Sequence, residues 1–116
     1  MDFPGVGRPF ADMVGMIFLI IRMKVLTAKQ KELSQTIDSL IGLIRTEKGC
    51  RRCDFYRKMD DENELCLFEE WDTQGNLKGH LRSGRFKILR GAMNLLREPC
   101  EMIFHTVCKP TALEKI

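Results

Sequence analysis

At 116 residues the chain has the length of one ordinary domain and is too short for two. Hydrophobic residues make up 44% and charged residues 30%, a globular composition that excludes disordered and collagen-like classes. Nineteen Lys and Arg against 16 Asp and Glu leave +3, too small and too mixed an excess to imply a nucleic-acid or membrane partner.

Residues 1–15 carry Pro4, Gly5, Gly7 and Pro9 and read as an irregular arm, with Phe3 and Phe10 available to pack on a neighbour. No basic start precedes an apolar stretch there, so a secretory signal is not expected. The longest apolar run, Val14 to Ile21, spans eight residues and falls well short of the ~20 needed to cross a bilayer. Five cysteines in such a chain suit reduced thiols and a cytoplasmic setting.

Met16 to Val25 is predicted as a strand with apolar residues on both faces. From Ala28 to Lys48, Leu33, Ile37, Leu40, Ile41 and Ile44 recur at spacings of three and four, which predicts an amphipathic helix. Thr27 suits its N-cap and Gly49 its stop. Cys50–Met59 and Leu65–Trp71 form a predicted hairpin around the polar loop Asp60 to Glu64. With Met59 opposite Glu64, Phe55 faces Phe68 and Tyr56 faces Leu67.

A second helical region opens at Asp72-Thr73 and runs to Leu96, with a break at Ser83-Gly84. Leu77, Leu81, Phe86, Leu89, Met93 and Leu96 supply its apolar stripe. Cys100 to Lys109 is the last predicted strand, with apolar residues on both faces. The order is β-α-β-β-α-β, an α+β ferredoxin-like arrangement with a four-stranded antiparallel sheet. Two helices cover one sheet face only. The other apolar face needs a partner, and a homodimer joined sheet to sheet is expected.

Three segments are similar to a known family. Thr46-Glu47-Lys48-Gly49-Cys50, Phe68-Glu69-Glu70-Trp71 and Gly79-His80-Leu81-Arg82-Ser83-Gly84-Arg85-Phe86 resemble, in order and spacing, motifs of the antibiotic biosynthesis monooxygenase (ABM) domain. The resemblance covers residues 16–109 and leaves 1–15 as an arm and 110–116 as a tail. It implies a dimeric α+β barrel. It also implies chemistry known in some members, the oxidation of phenolic, quinol or anthrone-like compounds by dioxygen without a prosthetic group. Haem-cleaving relatives use an Asn on the first strand and a His late in the second helix. This chain has neither, and Arg90 stands near the ligand position, so no haem is expected.

Glu69, Trp71 and His80 are the candidate site residues. Glu69 and Trp71 lie two apart on a strand and share a face. A partly desolvated His80 would be neutral near pH 7 and able to take a phenolic proton, while Trp71 holds an aromatic ring. The competing reading makes all three core residues, with Glu69 paired to an Arg or a helix N-terminus.

Cys50-Arg51-Arg52-Cys53 has C-x-x-C spacing, but on a regular strand the two thiols point to opposite faces, and Cys66 falls opposite Arg57. No nearby His completes a zinc site, so no metal is expected. An RNA-recognition module of the same element order needs a basic, aromatic third strand, whereas this one carries Glu69 and Glu70. The sequence thus points to a cofactor-independent monooxygenase acting on a small aromatic compound. The alternative is a non-catalytic dimer that binds a small hydrophobic ligand or serves a structural or stress role.

Overall fold

The computed structural model describes residues 16–107 and Lys115. The expectations for the arm, the tail, Cys108 and Lys109 lie outside the described residues. Four strands, β1 (Met16–Lys24), β2 (Cys50–Lys58), β3 (Asp61–Trp71) and β4 (Glu101–Val107), form one antiparallel sheet of order β2-β3-β1-β4. Helices α1 (Gln30–Arg45), α2 (Gln74–Leu81) and α3 (Gly84–Ala92) cover one face. The α+β ferredoxin-like class is as the sequence predicts.

The core lies between that face and the helices. Ile17, Leu19, Ile21 and Met23 of β1 and Leu65, Leu67 and Trp71 of β3 meet Leu33, Ile37, Leu40, Ile41 and Ile44 of α1. Period two in the strands and a period near 3.6 in the helix bring these sets together. Arg45 fastens α1 to β2, its Nε donating to the Cys53 carbonyl at 2.9 Å and its Nη2 to Asp54 Oδ1 at 3.2 Å.

The break in the second helical region is real. Thr73 Oγ1 accepts the Asn76 N–H at the start of α2, and Ser83 Oγ accepts the Phe86 N–H at the start of α3. Thr27 is not the N-cap of α1. It begins a 3₁₀ turn over Thr27–Lys29, and its hydroxyl accepts from Asn63 Nδ2 instead.

The hairpin register differs by one residue from the prediction. Phe55 pairs with Leu67, Tyr56 with Cys66 and Arg57 with Leu65, so Cys66 does not face Arg57. The polar stretch was read as all loop, whereas only Met59-Asp60 make the turn and Asp61–Glu64 join β3. Backbone pairing takes those residues into the sheet: the Asn63 carbonyl accepts the Val25 N–H at 2.9 Å.

A second irregularity lies at the start of β2. Cys50 pairs with Trp71 and Arg52 with Glu70, leaving Arg51 as the extra residue of a β-bulge. The bulge restores the phase of the strand, so Cys50 and Cys53 both face the helices rather than opposite sides. Strand geometry therefore does not separate the two thiols.

Gly49 makes the close approach that starts β2. Its φ is +85°, a β-carbon there would strike Asp72 Oδ1 and the Asn76 side chain, and its carbonyl accepts the Asp72 N–H at 2.9 Å. Gly49→Ala should lower unfolding free energy by about 2–4 kcal/mol, combining left-handed strain with overpacking. Urea denaturation of the two proteins measures the difference.

Candidate functional site

The alternation of β3 sets the site. Leu65, Leu67, Glu69 and Trp71 all point at the helices, so a carboxylate occupies a core position between two apolar side chains. Charge buried in this way is tolerated only with partners. Trp71 Nε1 donates to Glu69 Oε1 at 2.9 Å. His80, near the end of α2, brings its Nε2 to 3.0 Å from the same oxygen, within ion-pair distance but off the line of a good hydrogen bond.

On its other side, His80 Nδ1 lies 3.1 and 3.2 Å from the two oxygens of Glu47. Glu47 sits in the turn between α1 and Gly49, and Arg85 Nη1 approaches its Oε2 at 3.9 Å. Aromatic rings close the remaining faces. His80 stacks on Trp71 with centroids 4.6 Å apart, and meets Phe86 in an edge arrangement at 5.3 Å. Glu69, Trp71 and His80 are thus brought together as the sequence predicts, but at 0%, 0% and 1% exposure they present no surface to a ligand.

The two carboxylates act on His80 in the direction opposite to burial. Burial alone pushes the His80 imidazole toward its neutral form, but the charges and hydrogen bonds of Glu69 and Glu47 outweigh it and raise its pKa above the ordinary value. A carboxylate lies close to each ring nitrogen, an arrangement that favours the imidazolium. With both nitrogens turned to carboxylates and none toward a ligand, the geometry suits an electrostatic strut rather than a general base.

Glu47 was missed as a partner, although it stands in the Thr46–Cys50 segment that carried the family resemblance. Nothing in its spacing from His80 signals the contact, because the Gly49 turn creates it. Cys50 and Cys53 flank the cluster as unreactive thiols. Burial first, and then the Glu69 charge, pushes Cys50 up to about 11 and raises Cys53 further. Among the described residues Cys50, Cys53, Cys66 and Cys100 are free, and no group of His, Cys, Asp and Glu side chains is arranged to hold a metal ion.

Beyond Phe86 the packing opens. Ile21, Phe86, Leu89, Met93, Cys100 and Met102, with Pro99 and Arg90 at the margin, line an apolar cleft of about 320 Å³ between α3 and the β1–β4 half of the sheet. Phe86 is shared, with one contact to His80 and the other to the cleft. The cluster therefore backs the wall of a site that it does not enter.

Residues 16–90 match the family model described as antibiotic biosynthesis monooxygenase. YcnE of Bacillus subtilis, named for a proposed monooxygenase activity, is 27% identical over 89 residues, 76% of this chain and 94% of its own. A conserved protein of Methanosarcina mazei has a crystal structure that aligns with TM-score 0.76 at 28% identity, covering 84% of this chain and 96% of that one. Rv0793 of Mycobacterium tuberculosis aligns with TM-score 0.77 at 26% identity, covering 84% and 99%.

Two outcomes are expected for the cluster. His80→Ala leaves the buried Glu69 and the half-buried Glu47 without their partner and should cost about 3–5 kcal/mol of stability in chemical denaturation. The raised folded pKa also fixes a sign for pH dependence. The ion-pair contribution is complete below the unfolded value of 6.5 and is lost as pH rises through the higher folded value. Denaturation midpoints of the wild type should fall as pH rises above 6.5. In His80→Gln that component of the fall should disappear.

Proposed function

Because the chain belongs to the antibiotic biosynthesis monooxygenase family, we propose that it is a monooxygenase that oxidises a small phenol-, quinol- or anthrone-like compound with dioxygen. The observation that carries this reading is the apolar cleft against Phe86, large enough for one or two fused rings and bounded by Leu89, Met93 and Met102. The half-buried thioether side chains of Met93 and Met102 suit a flat ring.

The electrons come from the substrate in this scheme. A deprotonated ring donates to dioxygen, carbon–oxygen bond formation gives a hydroperoxide, and loss of water leaves one oxygen atom in the product as a carbonyl. The substrate's own acidity supplies the first proton to solvent at the cleft mouth, since His80 is buried and faces Glu47 and Glu69 rather than the cleft. His80, Glu69 and Trp71 are positioning residues here: they fix Phe86 and exclude water behind it. No prosthetic group enters the scheme, and the free thiols suit a reducing cytoplasm.

A homodimer through the sheet faces completes the reading. On the face away from the helices, Phe18, Ile20, Phe68 and Ile103 lie together at half-buried positions, with the Phe18 and Phe68 rings 5.2 Å apart. A second copy is the economical cover for such a face. Light scattering at micromolar concentration should return twice the chain mass, and a monomer that persists on concentration would refute the pairing.

The burial of Glu69, Trp71 and His80 favours a second reading, a module that binds an aromatic ligand without turning it over. Oxygen uptake with a panel of quinols, naphthols and anthrones separates the two. The monooxygenase reading expects uptake above the uncatalysed rate for at least one compound. It also expects Met93→Trp, which fills the cleft, to lower kcat/KM at least tenfold. Binding with no uptake across the panel would establish the second reading instead.

A further inference from the structure

The cleft beside Phe86 has one feature that an apolar pocket does not require. Among the described residues that line it, Arg90 alone carries a charge. Its guanidinium lies over the Phe86 ring, 5.2 Å from the centroid. Arg45 and Arg52 reach Asp54, Arg85 reaches Glu47 and Arg97 reaches Glu98, whereas Arg90 is left facing the cleft. No carboxylate of the described residues lies within ion-pair distance of Arg90, and no hydrogen bond engages its N–H donors there. Stacking on a ring pre-orients a planar guanidinium and leaves its edge donors available.

We propose that the cleft selects an anionic aromatic compound of one or two rings, its ring seated on Met93 and Met102 and its carboxylate or phenolate paired with Arg90. This rests on the cleft being the ligand site of the oxygenase reading and adds the charge of the ligand to it. The physical basis is complementarity. An apolar cleft supplies affinity for a ring without orienting it, whereas one fork of donors at the margin fixes which end of the ring points outward. An anion next to an arginine is also an acid whose deprotonated form is stabilised, which is the form that must meet dioxygen.

The test separates binding from turnover. The probes are 2-naphthoate and its uncharged counterpart 2-naphthamide, titrated calorimetrically into the full chain. Cys100, which lines the same cleft, provides an independent reporter, because a bound ligand shields it from iodoacetamide and peptide mass spectrometry reads each cysteine separately. Naphthoate should bind at least tenfold more tightly than the amide and should slow Cys100 alkylation at least fivefold. Arg90→Gln should bring the two ligands to within about twofold of one another, and Arg90→Lys should retain part of the preference.

Equal affinity for naphthoate and the amide in the wild type would overturn the proposal. So would a preference undiminished in Arg90→Gln, no saturable naphthoate binding at millimolar concentration, or binding that leaves Cys100 fully reactive. Charge-selective binding in this cleft without oxygen uptake from any quinol would support the anion site while overturning the oxygenase reading.

Discussion

The contact of His80 with Glu47 and Glu69 is the interaction on which the helix-covered half of this molecule depends. The three residues come from the turn after α1, the centre of the sheet and the end of α2, so the cluster joins segments that apolar packing alone would bring together less specifically. Its cost is the removal of three charged groups from water. Coulombic attraction at about 3 Å, an indole N–H on Glu69 and a nearby Arg85 offset that cost together. Removing any member leaves the others as uncompensated buried charge. The cluster is therefore a strong determinant of arrangement even if its net contribution to stability is modest.

The position of the cleft follows from this. Trp71 stacks on the His80 ring and Phe86 meets it in an edge arrangement, and Phe86 in turn carries Arg90 on its ring. A change of charge in the core thus reaches the cleft through a single aromatic side chain. The Ser83 cap, by ending α2 and restarting the chain as α3, lets Phe86 approach His80 from a different direction than a continuous helix would allow.

Much of the architecture was legible in the sequence because period two and period 3.6 persist over long stretches, as in β1 and α1. The motifs that gave the family resemblance also brought Glu69, Trp71 and His80 to one place. Failures occurred where one residue changes the phase. The polar Asp61–Glu64 looks like loop and is strand, which shifted the hairpin pairing by one. Arg51 looks like an ordinary strand residue and is a bulge, which turned Cys50 onto the same face as Cys53. Burial alone does not set the shift of His80, because Glu47, a residue 33 positions away that no local pattern connects to it, also faces the ring. Residue type indicates what a group can do. Its neighbours decide which form it takes.

The Arg51 bulge has a consequence for how copies of this chain assemble. The strand order leaves β2 at one border of the sheet, where unpaired backbone groups could recruit a strand from another molecule. The bulge interrupts that border at its start, and Arg51 and Arg57 are exposed cations on the same strand. An incoming identical strand would meet a kinked backbone and like charge at these positions. Lateral growth into open-ended fibres is thereby disfavoured on this side.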